Sequence, residues 1–225
     1  MKLQKMKLDY WLILGCVYCV YIVMQNLFEM KTIGTETLAI MGGGTIISWI
    51  PFVIMDVTSE VWGEKRSVSL FTIAGLLNIS TVLLAQLVIH LPGVYPDQNA
   101  AFAQIFSNGP RTVISSFIAF YLGNLVNVKI MVKMRKNSRN KESKFLFFVR
   151  AVVSTIFGQI LDNLTFATLA FAPIGLSVFE MGWGDIISTS LIGTCFETGI
   201  EACFVPLVTI PLANHIREKV KSCEC

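Results

Sequence analysis

The sequence predicts an all-α membrane protein, built as a single bundle of six transmembrane helices with the N- and C-termini in the cytoplasm. Three observations predict this fold class. The 225 residues are 54% hydrophobic and have a mean hydropathy of +0.64, which is more apolar than an ordinary soluble domain. Six apolar stretches each reach the roughly 17 to 25 residues that a helix needs to cross a bilayer. Lysine and arginine lie almost entirely on one side of those stretches, as is typical of cytoplasmic loops.

Residues 1–225 are expected to form one integral membrane domain, because the six spans leave no room for a separate soluble domain. The predicted spans lie at approximately 10–28, 38–55, 67–91, 111–132, 145–172 and 185–212. The first has no small-residue cleavage site after its apolar run, so we interpret it as an anchor. With the N-terminus inside, all but two of the 18 Lys and Arg residues lie on the inner side, the exceptions being Lys31 and Arg111. We therefore expect a multi-pass protein of the cytoplasmic (inner) membrane.

Polar residues in the first four spans are candidates for the interior of the bundle. Asn78 lies on the third span, and Gln25 and Asn26 lie near the outer end of the first. The second span contains MGGGT at 41–45, which indicates either close helix packing or a local unwinding at a binding site. Arg111 begins the fourth span after the helix-start signal SNGP, and it is either an interfacial anchor or a polar group of a site.

The stretch DVTSEVWGEKR at 56–66 joins the second span to the third. Asp56 and Glu60 are four residues apart, so they share one face if the helix continues. Gly63 permits a sharp turn into the third span. We interpret the two acids as an inner gate or a partner-facing clamp, farther from any substrate than the acids of the later spans. Their expected basic partners are Lys65, Arg66 or Arg150.

The fifth span carries a polar stripe, in STIFGQILDNLTFA. Helical spacing places Gln159, Asp162, Asn163 and roughly Ser154 on one side of the helix. The amides act either as interhelical hydrogen-bond partners or as ligands of a substrate. A charged residue at the centre of a span costs roughly 2.5 to 3.5 kcal/mol on insertion scales, so we interpret Asp162 as functional.

The sixth span carries Glu197 and Glu201 in GTCFETGIEACFVP. Their four-residue spacing stacks two carboxylates on one face near the middle of the membrane. Two neighbouring acids in a low dielectric repel each other, so at least one is expected to bind a proton readily. This arrangement suits a proton-coupled site or a pocket for a cationic, donor-rich ligand. Pro206, a turn further on, is expected to loosen the helix.

The stretch at 56–66 resembles the signature of the VUT family of transporters. That signature reads acid, three residues, glutamate, one residue, tyrosine, glycine. Asp56, Glu60 and Gly63 fit it, and Trp62 stands where tyrosine is usual. The resemblance continues in the same order through PRTVISSFIAFYLG, GQILDNLTFATLAF and EACFVP, at 110–123, 158–171 and 201–206.

The resemblance implies uptake of queuosine precursors, which are 7-deazaguanines such as preQ0, preQ1 or queuine, for tRNA modification. A guanine-like edge offers an N–H and an amino group side by side, which one carboxylate accepts in a bidentate manner. Asp162 or Glu201 would supply that carboxylate, and Gln159, Asn163 or Arg111 would donate to the carbonyl oxygen. Aromatic rings that offer a stacking surface are Trp49 and Phe166.

Two mechanisms remain open for such a transporter. One is a solitary secondary carrier that moves protons through Glu197 and Glu201, and the other is a substrate-binding subunit of an energy-coupling-factor importer. The first span has no alanine and offers only Gly15 with Cys19 as a small pair, which favours the solitary carrier. The family often has lysine at the position of Glu197, so the substrate or its coupling can differ from the usual member. The preferred base, the coupling ion and a homodimer stay open.

A membrane-embedded hydrolase or transferase is the alternative from another class. The sequence has no HExxH motif, no P-loop and no serine and lysine pair placed for a nucleophile, so no enzyme activity is expected. The six cysteines show no zinc-site spacing, and neither a metal nor a cofactor is expected. The basic run at 133–144 is interpreted as a topology signal, and no nucleic acid partner is expected.

Overall fold

The computed structural model describes residues 9–29, 31–35, 38–106, 110–138, 143–173 and 180–224. The described chain is predominantly helical, which agrees with the predicted class. The helices are α1 (Tyr10–Glu29), α2 (Trp49–Val61), α3 (Glu64–Ile89), α4 (Pro96–Phe106), α5 (Pro110–Asn137), α6 (Lys144–Phe171), α7 (Trp183–Phe204) and α8 (Ile210–Glu224). A short antiparallel hairpin between α1 and α2 pairs β1 (Thr32–Thr35) with β2 (Leu38–Gly42).

Five segments of the described chain are long and apolar enough to cross a membrane. These segments are Tyr10–Phe28, Glu64–Ile89, Ile114–Asn137, Lys144–Phe171 and Trp183–Val220. The outward side of α3 shows the apolar surface that lipid contact requires, because Leu76, Leu83 and Leu84 are each more than half exposed. A multi-pass membrane protein is therefore confirmed, with five candidate spans where the sequence predicted six.

The second predicted span, 38–55, is wrong in its first half. The chain forms β2 and a 3-10 turn at Gly43–Ile46 before α2 begins at Trp49. Glycine disfavours a helix here, and a Cβ on Gly43 would lie only 2.6 Å from the carbonyl oxygen of Phe28. The 13 residues of α2 rise only about 20 Å, less than the roughly 30 Å of a hydrocarbon core.

Helix α2 is nevertheless the most enclosed element of the bundle. Every side chain from Val53 to Glu60 is buried. Its apolar residues enter two different clusters, one shared with α1, α3 and α5 and the other with α5, α6, α7 and α8. Asp56 and Glu60, here called the acidic motif, therefore lie within a helix at the centre of the fold, rather than in a solvent-exposed link.

The turn predicted at Gly63 is present. Gly63 has φ of 78° and ψ of −172°, and it precedes the first residue of α3. Residues other than glycine rarely adopt this backbone conformation. The turn leaves only two residues, Trp62 and Gly63, between the end of α2 and the start of α3.

Helices α5 and α6 cross in backbone contact at two glycines. A Cβ on Gly123 would lie 2.8 Å from Asp162 Cβ and 3.0 Å from the carbonyl oxygen of Gly158. A Cβ on Gly158 would lie 2.9 Å from Asn127 Cβ. The glycines thus let Asp162 and Asn127 lie directly beside the helix crossing.

The last predicted span, 185–212, is part of a longer continuous segment. Helices α7 and α8 are joined by a π-helical turn at Val205–Thr209, where the Ile210 N–H donates to the Val205 carbonyl oxygen. Pro206 lies in this turn and has no N–H to donate, which favours a departure from α-helical bonding. The distortion predicted at Pro206 is therefore present. Helix α4 was not predicted, and its residues are mostly exposed between α3 and α5.

Candidate functional site

A polar cavity of about 200 Å³, here called the main cavity, lies among α1, α3, α5, α6 and α7. Its walls combine amides, acids and aromatic rings. The amide residues are Gln25, Asn26, Asn78 and Asn163, and the acids are Asp162 and Glu197. The aromatic residues are Phe117, Phe120 and Phe166. A cavity of this composition within spanning helices is typical of a substrate site.

A second cavity of about 60 Å³, here called the inner cavity, adjoins the first. The two share lining residues from four helices, namely Ile22, Gln25, Phe120, Asp162 and Glu197. The inner cavity adds Asn124, Asn127 and Gln159, and it is closed on one side by Pro51 and Phe52 of α2. The two cavities therefore form one polar region that reaches from α1 to the central helix α2.

Asp162 is the acid that both cavities share on α6. Its position is determined by the glycine crossing, because Gly123 leaves the space that the Asp162 Cβ occupies. Asp162 is half-buried, and no side chain in the described part of the protein forms a hydrogen bond to its carboxylate. Nearby, the Tyr18 hydroxyl donates to Asn124 Oδ1 at 3.3 Å. Asp162 thus presents an acceptor to the cavity that the surrounding helices do not satisfy.

Asn163 holds α6 to α7. Its Nδ2 donates to Thr194 Oγ1 at 3.2 Å and to Glu197 Oε2 at 3.1 Å. Asn163 and Glu197 both line the main cavity. The amide therefore has the interhelical role that the sequence left open, and it also positions one of the two acids of the cavity.

The structure brings together five of the predicted substrate residues: Asp162, Asn163, Gln159, Glu197 and Asn78 line the two cavities. Glu201 is placed elsewhere, as described below. Arg111 lies in the first turn of α5, but its side chain lies outside the described residues. Of the two predicted aromatic surfaces, Phe166 lines the main cavity, whereas Trp49 stacks on Phe204 with ring centroids 4.1 Å apart.

Sequence reasoning missed the contribution of α5. Four of its residues that line the cavities, Ser116, Phe120, Asn124 and Asn127, follow one another at spacings of four, four and three. Such spacing places them on one helix face. This stripe was visible in the sequence as two asparagines in an apolar span, in the same way as the stripe on α6.

Glu201 lies on α7 against the central helix and is 1% exposed. Its Oε1 accepts a hydrogen bond from Thr155 Oγ1 at 2.8 Å, and Thr155 Oγ1 accepts from Asn127 Nδ2 at 3.3 Å. The buried carboxyl groups of Asp56 and Glu201 lie next to each other, and neither oxygen of Asp56 nor Glu201 Oε2 has a hydrogen-bond donor among the described residues. Two acids from different helices thus meet at the centre of the protein, and Asn127 connects them to the inner cavity.

Glu60 forms an ion-pair cluster with arginines from three helices. Its Oε1 lies 3.1 Å from Arg135 Nε, 3.1 Å from Arg150 Nη2 and 2.7 Å from Arg217 Nη2. Of the three basic partners predicted for the acidic motif, Arg150 is found here. Arg66 instead lies over the ring of Trp11. Trp62 and Lys65 line a separate surface cavity beside Arg135. Glu60 therefore ties α2 to the basic ends of α5, α6 and α8.

Comparison with known proteins agrees with this architecture. The family model described as "Putative vitamin uptake transporter" matches residues 42–210. The matched region contains the acidic motif, both glycines of the helix crossing and all cavity residues except those of α1. No curated protein and no solved structure matches the chain. Because the match covers most of its length and carries the polar cavity, the protein belongs to the vitamin uptake transporter family.

Proposed function

We propose that this protein imports queuosine precursors, the 7-deazaguanine bases, across the cytoplasmic membrane for tRNA modification. The observation that carries the proposal is the Asp162 carboxylate, which faces a polar cavity among spanning helices and has no hydrogen-bond donor among the described side chains. Asp162 is half-buried, and a carboxylate at membrane depth is costly unless donors meet it, which a ligand in the cavity can supply. The guanine edge supplies two, the ring N–H and the amino group.

The remaining walls of the cavity suit the other groups of such a base. Gln25, Asn26 and Gln159 offer amide N–H groups for the carbonyl oxygen of the ring. Phe117, Phe120 and Phe166 offer apolar faces for a planar heterocycle, because aromatic rings stack on bases. A cationic aminomethyl group, as in preQ1, would meet Glu197.

The size of the cavity favours a free base over a nucleoside. The main cavity is about 200 Å³, below the roughly 300 to 1,000 Å³ of most small-molecule pockets. A bicyclic base is compact and planar, whereas a ribose would need additional polar partners and space. We therefore expect preQ0 and preQ1, whose substituents are small, to bind more tightly than the corresponding nucleosides.

We propose that the protein works as a solitary secondary carrier. Uptake by proteoliposomes that contain only this protein would support that mechanism. A requirement for an added energising module would instead favour the role of a substrate-binding subunit in an energy-coupling-factor importer.

Ligand binding by the purified protein is the first test of the substrate. Thermal unfolding should shift upward with preQ0, preQ1 or queuine, and it should not shift with biotin. Asp162→Asn should abolish the shift, since the neutral amide loses the bidentate charge-assisted contact. Asp185→Asn, at an exposed acid in the first turn of α7, is the matched control. Stabilisation of the wild type by none of the deazaguanines would refute the proposed substrate.

Uptake in cells tests the function itself. A strain that cannot make its own precursor should modify its tRNA from external base when it carries the wild type or Asp185→Asn. With Asp162→Asn present at the same protein level, modification should fail. Normal modification with that variant would show that Asp162 does not bind the substrate.

A further inference from the structure

The central helix α2 carries two buried acids with opposite electrostatic surroundings. Glu60 is surrounded by three guanidinium groups. Asp56, one turn earlier, is 1% exposed, and no protein donor in the described part of the chain reaches either of its oxygens. The polar group in contact with it is the carboxyl group of Glu201, which is itself buried.

Two buried carboxyl groups in contact retain a proton between them, because two negative charges at this distance in a low dielectric repel strongly. Thr155 indicates where that proton lies. Its single hydroxyl hydrogen donates to Glu201 Oε1, and its oxygen accepts from Asn127 Nδ2. Glu201 Oε2 and the two oxygens of Asp56 have no donor from the described residues, so the shared proton is assigned to one of these three atoms.

From this geometry we infer that Asp56 and Glu201 form the proton-binding site that couples transport to the proton gradient. The inference rests on the proposed carrier function and assigns its coupling ion and the residues that hold it. The sequence alone pointed to Glu197 and Glu201 as the proton pair. In the structure Glu201 meets Asp56, while Glu197 faces the cavity and accepts from Asn163.

The pair is connected to the substrate region by a short hydrogen-bonded chain. Asn127 lines the inner cavity and donates to Thr155, which donates to Glu201. A ligand that draws the Asn127 amide away would free the Thr155 oxygen and change the hydrogen bonding of the pair. Occupancy of the cavity and protonation of the pair are thereby coupled without direct contact between substrate and proton.

The charges around the pair come from several helices. Glu60 on α2 and Glu197 on α7 lie one turn away from Asp56 and Glu201, respectively. Beyond Glu60 lie the guanidinium groups of Arg135, Arg150 and Arg217, on α5, α6 and α8. Helices α1 and α3 place no charged side chain against the pair within the described ranges.

These charges suggest the direction of proton movement. Three guanidinium groups around one carboxylate leave an excess of positive charge, which favours the ionised pair once it opens toward the basic end of the bundle. The pair would accept a proton from water in the cavity and release it to water at the basic end. Only O–H bonds form and break, and the carboxyl groups return to their starting state.

Infrared difference spectroscopy tests the site without any substrate. Ordinary exposed carboxyl groups are mostly ionised at both about pH 5 and about pH 9. The difference between wild-type spectra recorded at these two pH values should therefore show the C=O band of a buried carboxyl group that is protonated at the lower pH. Asp56→Asn and Glu201→Gln should each remove or shift that band. Glu218→Gln, which changes an exposed acid of α8, should leave it unchanged. An unaltered band in both Asp56→Asn and Glu201→Gln would overturn the assignment.

Transport by proteoliposomes tests the coupling. With a pH gradient, accumulation of labelled precursor by Asp56→Asn should fall to the level of the wild type without a gradient. Exchange of labelled for unlabelled base needs no net proton movement and should persist, which also shows that the variant is folded. Gradient-driven accumulation at the wild-type rate would refute the coupling role. If the wild type binds no deazaguanine, the proposed substrate fails, whereas the infrared experiment still decides the proton site.

Discussion

Glu60 Oε1 lies 3.1 Å from Arg150 Nη2, and the two side chains are 0% and 1% exposed. Arg150 also donates to Ser138 Oγ at 3.2 Å. A buried guanidinium group is tolerated only when a counter-charge and hydrogen bonds replace its water. Glu60 is that counter-charge, and it connects the central helix to the basic ends of three neighbouring helices.

Glu60→Gln should therefore destabilise the protein. The substitution keeps the shape of the side chain but leaves Arg150 buried with no neutralising charge, which typically costs about 3–5 kcal/mol. Thermal unfolding of the purified protein in detergent measures the loss, with Glu218→Gln as the exposed control. Equal stability of the two variants would show that the arginine cluster does not depend on Glu60.

Gly63→Ala should destabilise the turn between α2 and α3. A residue with a Cβ is strained at φ of 78° and ψ of −172°, at a cost of about 1–3 kcal/mol. Gly199→Ala is the matched control, because Gly199 is helical and a Cβ there meets nothing within 4 Å. We expect Gly199→Ala to be neutral or slightly stabilising in the same unfolding experiment. A neutral Gly63→Ala would contradict the backbone conformation.

Gly123→Ala should impair substrate binding. The added methyl group would lie 2.8 Å from Asp162 Cβ, so either the carboxylate or helix α5 must move. A displacement of about 1 Å at a binding group can cost on the order of 100-fold. Affinity for the precursor should fall accordingly, as measured by titration, with Gly199→Ala retaining wild-type affinity. Unchanged affinity for Gly123→Ala would argue that Asp162 is not a ligand.

Thr155→Val should destabilise the core more than Thr155→Ser. Valine has nearly the shape of threonine but neither donates to Glu201 nor accepts from Asn127, and each buried polar group left unsatisfied costs about 1–3 kcal/mol. Serine keeps the hydroxyl group. Unfolding measurements on both variants separate the hydrogen bonds from the packing, and wild-type stability of Thr155→Val would show that the hydroxyl contributes nothing.

Much of the fold could be predicted from the sequence, because spans are defined by apolar length. The predicted helices at 10–28, 67–91, 111–132, 145–172 and 185–212 all correspond to helices of the structure. The prediction at 38–55 is wrong because glycines interrupt that apolar run and favour a hairpin and a turn over a helix. Apolar composition reports burial or lipid contact and does not distinguish a spanning helix from a hairpin followed by a shorter buried helix.

The candidate site was only partly accessible from the sequence. Helical spacing correctly grouped Gln159, Asp162 and Asn163 on the cavity side of α6. The same spacing placed Glu197 and Glu201 together, and it could not show that Glu201 meets Asp56 from another helix. Contacts between helices depend on crossing points such as Gly123 and Gly158, which local periodicity does not encode.

The π-helical turn at Val205–Thr209 has a consequence for the phase of the last helix. In an uninterrupted α-helix, Arg217 would point roughly 160° away from Glu201, since each residue advances about 100°. A π-helical turn contains one residue more than an α-helical turn, so the angle between the Glu201 and Arg217 directions falls to about 60°. Glu201 can then contact Asp56 while Arg217 contacts Glu60, both on α2. The turn thus acts as a phase correction that allows one helix to serve both acids of its neighbour.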